Sequence, residues 1–268
     1  MGKSILIFCT VLTILSLTAC DFIKKGNLET DRPKSLVNEE IASNIHVPEK
    51  AKKRIFSDFI YDVGPRFNFI KKRDLDNVRS FSDFIGEDHA QRIVSYKSLS
   101  VIILNGDKKT DIKETGYDGV LTAAQIKLLQ SIDYSSNILI WADYQEKNIE
   151  TGQLEDSHWT PYLTIVPEIQ ATYAGGKDAL KKYLKTNSED ARKNVQAEKL
   201  KPAKLYFTVT RNGTIENIKL DRSSGYPMVD KTMIELIAKT QKDWKPAENT
   251  KGENVDQELV VSFGLMGC

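Results

Sequence analysis

Between Lys204 and Leu220 the chain reads KLYFTVTRNGTIENIKL. Leu205, Phe207 and Val209 alternate before Asn212-Gly213, and Ile215, Ile218 and Leu220 resume after it. Period-two apolar spacing calls for an extended chain with one buried face, and Asn-Gly is a hairpin-turn signal. The segment therefore reads as a β-hairpin, and what flanks it must cover its apolar face. Upstream, Gly175-Gly176 opens DALKKYLKT, which puts Ala179, Leu180, Tyr183 and Leu184 on one helical face. Downstream, YPMVDKTMIELIAKT carries Met228, Val229, Met233, Leu236 and Ile237 at helical spacing, and Pro246 in WKPA stops it. QELVVSFGL is a last strand. The order helix, hairpin, helix, strand predicts an α+β fold: an antiparallel sheet of about three strands with both helices on one face.

The chain has 268 residues, enough for a second domain at ~100–200 residues each. Residues 47–168 read as a separate mixed α/β domain that resembles no known family. AKKRIFSDFIYDVG and LDNVRSFSDFIGEDHAQRI have helical character in part. RIVSYKSLSVIIL becomes β-rich and ends at the turn signal Asn105-Gly106-Asp107. TAAQIKLLQSI is a short helix capped by Thr122, with Ile126, Leu128, Leu129 and Ile132 as its apolar positions. NILIWADYQEKN and HWTPYLTIVPE form a long hairpin through Thr151-Gly152. FSDFI occurs twice without matching flanks and is not a repeat. The short run from Pro167 to Ala174 is the best boundary, so the second domain occupies residues 171–268.

The N-terminus is the most specific signal. Lys3 precedes an apolar run from Ile5 to Leu17, the anatomy of a secretory signal and short for a ~20-residue membrane span. Leu17-Thr18-Ala19-Cys20 resembles the bacterial lipobox, which implies cleavage after residue 19 and acylation of Cys20. Residues 20–46 are polar and weakly periodic, a flexible tether. Cys9 leaves with the signal, Cys20 takes lipid and Cys268 is terminal, so no intramolecular disulfide is expected. This predicts a membrane-anchored lipoprotein on the periplasmic side, with inner or outer membrane left open.

The ordered C-terminal pieces resemble the TonB C-terminal domain in its Bacteroidota-type form. They run from Gly175-Gly176 and ALKKYLKTN through Asn212-Gly213 and Ser223-Ser224-Gly225 to Val229-Asp230, Trp244-Lys245-Pro246-Ala247 and the hydrophobic final strand. The resemblance covers about residues 173–263. Ala174 stands where the family commonly has Pro, and residues 187–204 are charged and lack its frequent Tyr-Pro. The resemblance implies a non-enzymatic periplasmic module that adds an extended segment of an outer-membrane receptor plug to a sheet edge. Main-chain hydrogen bonds would supply affinity and alternate side chains selectivity. The candidate edge is Gln257, Glu258, Leu259, Val260, Val261, Ser262 and Phe263. An ordinary core strand reads the same way, so both readings stay open. The partners implied are TonB-dependent receptors and the membrane through lipid; a homodimer stays open. An alternative makes residues 47–168 a ligand-binding or enzymatic module and the C-terminal domain its adaptor.

Other chemistry finds little support. Gly175-Gly176-Lys177 lacks the GxxxxGK[ST] spacing of a phosphate cradle, and Asp178 would repel phosphate. His46, His89 and His158 are scattered with no HExxH or CxxC companion, so no metal and no cofactor is expected. Glu87-Asp88-His89 reads as a solvated helix end. No GxSxG is present, so no catalytic residue is assigned. Glu150 and Glu155-Asp156 read as charge at a hairpin tip. Trp141, Tyr144 and Trp159 are expected on one face of their hairpin, as core, with a carbohydrate or peptide platform as the alternative. With 38 basic against 37 acidic residues, no charge field points to nucleic acid.

Overall fold

A computed structural model describes residues 59–265. The signal peptide, Cys20, the tether and Cys268 lie outside the described residues. In chain order the strands are β1 Ile60–Gly64, β2 Asn68–Lys71, β3 Ile93–Asn105, β4 Lys108–Gly116, β5 Asn137–Lys147, β6 Leu154–Trp159 and β7 Tyr162–Val166. They continue with β8 Thr172–Tyr173, β9 Ala203–Val209, β10 Ile215–Arg222, β11 Trp244–Lys245, β12 Ala247–Glu248, β13 Asn254–Val255 and β14 Gln257–Gly264. The helices are α1 Lys72–Asn77, α2 Glu87–Ala90, α3 Ala123–Gln130, α4 Gly176–Asn187, α5 Glu189–Arg192 and α6 Pro227–Ala238.

Two sheets carry the architecture. The first runs β2-β7-β5-β3-β4, with β6 also paired to β5. The expected hairpin is present: β5 pairs antiparallel with β6, from Ala142 opposite Trp159 to Lys147 opposite Leu154. The chain then breaks at Thr160-Pro161, and β7 returns along Asn137–Leu139. Leu75 of α1, Leu129 of α3 and Phe81 pack on Leu99, Val101, Ile138 and Ile140 of the sheet. Thr122 caps α3 as expected, its hydroxyl accepting from the Gln125 N–H at 3.2 Å. The buried Gln125 side chain accepts from the Thr122 N–H and donates to the Leu99 carbonyl at 2.7 Å, so helix and sheet share one polar joint.

The second sheet holds β9 and β10 as the hairpin and β14 beside β9, in the order β1-β14-β9-β10. Leu205, Phe207 and Val209 face the same core as Leu259, Val261 and Phe263. Leu180 and Leu184 of α4, with Val229, Met233 and Ile237 of α6, cover that face, so both helices lie on one side as the apolar spacing predicts. The motif fragments explain one another in space. Trp244 packs on Phe207 and Tyr173 at centroid distances of 5.3 and 5.5 Å, and its Nε1–H donates to Thr240 Oγ1. Gly213 has φ 76°, and a Cβ there would sit 2.8 Å from the Trp244 carbonyl oxygen. The Asn-Gly turn is thus pressed against the Trp-Lys-Pro-Ala segment. In Ser223-Ser224-Gly225 the Ser224 N–H and Ser223 hydroxyl both donate to the buried Asp230 carboxylate, which ties the loop after β10 to the start of α6.

Two sequence expectations are corrected. The sheet has four strands rather than about three. Its fourth, β1, comes from the end of AKKRIFSDFIYDVG, a segment read as helical in part and placed in the 47–168 unit; residues 51–58 of it lie outside the described residues. Its alternation of Tyr61 and Val63 inward is only one period long, too short to outweigh the helical spacing around it. LDNVRSFSDFIGEDHAQRI is helical in part, as expected, through the end of α1, a 3-10 turn over Phe81–Phe84, and α2.

Gly213→Ala meets both a left-handed φ and the Trp244 carbonyl, whereas Gly252→Ala at φ 75° has open space around its Cβ. Gly252→Ala is expected to cost about 1 kcal/mol and Gly213→Ala about 2–3 kcal/mol, read as urea midpoints. Equal costs would show that the turn and Trp244 are not in contact.

Candidate strand-binding edge of the last sheet

Gln257 to Phe263 was the candidate edge, and the structure places it in the interior of its sheet. On one side, β14 pairs antiparallel with β9 from Gln257 opposite Val209 to Phe263 opposite Ala203. On the other, β1 pairs with it antiparallel, from Ile60 opposite Gly264 to Gly64 opposite Val260. Beyond the end of β1, the Glu258 N–H donates to Ser135 Oγ at 2.8 Å, and the Gln257 side chain accepts from the Ala171 N–H at 2.7 Å. The long side of β14 is therefore filled within the chain. The pattern of apolar residues located the strand; the occupant lies almost the whole chain away and leaves no local signal.

β1 is held by side chains as well as by its ladder. Phe59, Tyr61 and Val63 are buried in the core formed by α4, α6 and the sheet. Burial of each is worth roughly 1.5–3 kcal/mol. The Tyr61 hydroxyl bonds the buried Ser188 hydroxyl, and the Arg192 guanidinium lies over the rings of Phe59 and Tyr61 at 5.4 and 5.9 Å. Asp62 takes Lys177 Nζ at 2.7 Å and Lys181 Nζ at 3.4 Å. Burial pushes the Asp62 carboxyl up, but those two ammonium groups outweigh it and hold it below the usual aspartate range. Lys177 is the lysine of Gly-Gly-Lys. Gly175 and Gly176, at φ 79° and 82°, turn the chain into α4, and the lysine meets a carboxylate on β1.

Directly after β1, Arg66 is clamped with its side chain 4% exposed. Its Nε donates to Asp107 Oδ1 at 2.8 Å, its Nη2 reaches Asp221 Oδ2 at 3.3 Å, and its guanidinium lies 4.7 Å from the Tyr206 ring centre. Asp107 also takes Arg222 at 3.1 Å. The Arg66 hydrogen bond, against some burial and with help from Lys204 and Arg222, holds the Asp107 carboxyl below its ordinary value. Burial pushes the Lys204 ammonium down. Burial likewise pushes the Glu258 carboxyl up, against Arg66 and with Asp221 adding to it.

The opposite edge, β10, is poorly suited to a partner strand. Its pairing with β9 shifts register twice, between Glu216 and Lys219 and between Leu220 and Arg222, and Asn217 takes φ 54°. Bulges twist an edge away from further pairing.

The remaining sites fall as follows. His89 is not a solvated helix end: its Nε2 lies 2.8 Å from the Tyr144 hydroxyl and 3.3 Å from Glu146 Oε2, with Trp159 edge-on at 5.0 Å. This packing joins α2 to β5 and β6, and no local spacing announces it. Tyr144 and Trp159 lie on that face, whereas Trp141 is on the other, beside His158 and with Lys109 Nζ 3.7 Å from its ring centre. An odd separation along a strand puts Trp141 and Tyr144 on opposite faces. Among the described residues no group of three or more His, Cys, Asp or Glu is placed to hold a metal ion, and no helix is long and apolar enough to cross a membrane.

Residues 191–265 match the model of the Gram-negative bacterial TonB protein C-terminal family. This segment is a TonB C-terminal domain. The match takes in β9, β10, α6 and β14, and β1 lies outside it. No curated protein and no solved structure matches the chain. The TonB C-terminal family is a non-enzymatic protein-interaction family, and the match supports a TonB-like role in TonB-dependent transport at a periplasmic, membrane-associated location.

A carboxyl raised above its unfolded value of ~4.3 opposes folding once it must ionise, so the cost is absent at low pH and grows as pH rises through that value. Glu258→Gln is therefore expected to be more stable than the parent TonB-domain protein at pH 7. The gain should shrink as pH falls toward about 4 and be absent below it, in urea titrations across that range. A variant less stable at pH 7 would show that the Arg66 attraction outweighs burial.

Proposed function

We propose that the chain is a lipid-anchored periplasmic TonB-like protein that binds outer-membrane receptor plugs by strand addition. The observation that carries this reading is the TonB C-terminal match falling on an antiparallel sheet that, in this chain, already takes up an extra strand along β14. Backbone pairing of that kind recognises any extended segment, with selectivity left to alternate side chains. The lipobox-like Leu17-Thr18-Ala19-Cys20 supports anchorage through Cys20. A lipid holds a protein at a bilayer without a polypeptide contact across it, so the reading is of a binding component and not of one that receives force through a membrane helix.

Two measurements test this. Metabolic labelling with an alkyne fatty acid should mark the wild type and fail on Cys20→Ala; an unlabelled wild type removes the anchor. Affinity capture of the tagged full chain from solubilised envelopes should enrich outer-membrane receptors, identified by mass spectrometry. Their absence would remove receptor plugs as the partner class.

A further inference from the structure

The strand that completes the last sheet is supplied from outside the TonB C-terminal segment, and it brings all the contacts that a bound partner strand would need. It contributes a five-residue antiparallel ladder, apolar side chains at alternate positions, and one acidic side chain between them. The groove it occupies is made by the matched domain and by α4: the long side of β14, the pocket around Leu180, Leu184 and Ser188, and the ammonium groups of Lys177 and Lys181. We infer that Ile60–Gly64 is a built-in competitor for the partner site. The groove along β14 accepts an extended segment with apolar residues at the positions of Phe59, Tyr61 and Val63 and an acidic residue at the position of Asp62, and such a segment binds by displacing β1.

Three observations favour exchange over a permanent fourth strand. The ladder is short, and only part of β14 lies along it: Val260 to Gly264 pair with β1, while Glu258 is capped by a serine hydroxyl. The Asp62 ion pairs are half exposed, with the lysines and the aspartate all reachable by solvent, so they add selectivity for an acidic residue more than stability. The edge on the far side of the sheet from β1, β10, is bulged and offers an incoming strand no regular ladder. A strand added along β14 therefore has one place to pair, and β1 occupies it. Resident β1 lowers the affinity for a partner by the fraction of molecules in which the groove stands open. The inference rests on the strand-addition reading for the partner's identity, but the competition itself is testable without any receptor.

The probe is a fluorescein-labelled peptide of the chain's own residues 59–66, FIYDVGPR, followed by fluorescence anisotropy on the full chain. Asp62→Cys with Ser262→Cys, in a Cys268→Ser background, puts thiols on directly opposed residues, so one protein can be compared cross-linked and reduced. The cross-linked form is expected to bind no peptide, and reduction is expected to restore binding. Asp62→Lys sets a lysine against Lys177 and Lys181 in the resident strand but leaves the peptide's aspartate free to pair with them. It is expected to bind at least about tenfold more tightly than the wild type, because more molecules have the groove open.

Equal binding by cross-linked and reduced forms overturns the inference, as does a folded Asp62→Lys variant that binds no better than wild type. So does a cross-link that forms between two copies, which would mean that the strand is exchanged in a dimer. Peptides from receptor plugs separate the two readings. If FIYDVGPR exchanges and plug peptides do not bind, the receptor assignment fails and the acceptor groove stands. If plug peptides bind cross-linked and reduced forms alike, the receptor assignment stands and displacement fails.

Discussion

A β-strand in a sheet has hydrogen-bonding groups along both sides, and what lies on the second side of β14 decides how the rest of this structure is read. In the matched family segment alone, β14 would leave one side open beside β9. The chain closes it with β1 and the Ser135 hydroxyl. An unpaired edge is an aggregation hazard, and pairing it within the chain is one way to manage it. The same closure hides the surface through which such a domain would meet an extended partner. Stability and availability thus compete for one row of amides. The Ser188 hydroxyl and the Arg192 guanidinium weigh toward stability.

Much of the last sheet was legible because its elements are local. The alternation around Asn212-Gly213 and the 3.6-residue spacing of Leu180 and Leu184 or of Val229, Met233 and Ile237 each specify an element and its buried face within a dozen residues. The TonB-type resemblance depended on the order of those elements, and the matched segment agrees with it. Pairing partners are another matter. Period-two spacing says that Gln257 to Phe263 has a core face, but it does not say who lies on either side. The partner, IYDVG, has only two inward residues, and Ile55, Phe56, Phe59 and Ile60 around it suit a helix equally well. Lys177 posed the same problem, since the group that explains it, Asp62, is remote in sequence. His89 did too: its neighbours Tyr144, Glu146 and Trp159 come from two other strands, and only the folded sheet brings them together.

The connection after β1 adds a mechanical constraint. Only Pro65, Arg66 and Phe67 separate β1 from β2, the edge strand of the first sheet. Arg66 in that link is buried between Asp107, from the turn joining β3 and β4, and Asp221, from β10. Phe67 adds a second fastening, its N–H donating to Thr164 Oγ1 on β7. The C-terminal end of β1 is therefore pinned to both sheets, and charge-assisted bonds of a buried guanidinium are among the stronger fastenings a protein has. Among the described residues the N-terminal end has no such clamp: past Tyr61 it is held by the Phe59 side chain and by the ladder at Ile60. On the described contacts, strand separation from β14 is easier from Ile60 opposite Gly264 toward Gly64, like a zip opened from one end. An incoming antiparallel segment would first meet Gly264 and Phe263 and displace β1 stepwise, so the buried Arg66 cluster need not break at all. This ordering makes exchange compatible with an intact first sheet. It also places the energetic barrier at Tyr61, where the aromatic ring, the Ser188 hydroxyl and the Arg192 guanidinium must be given up together.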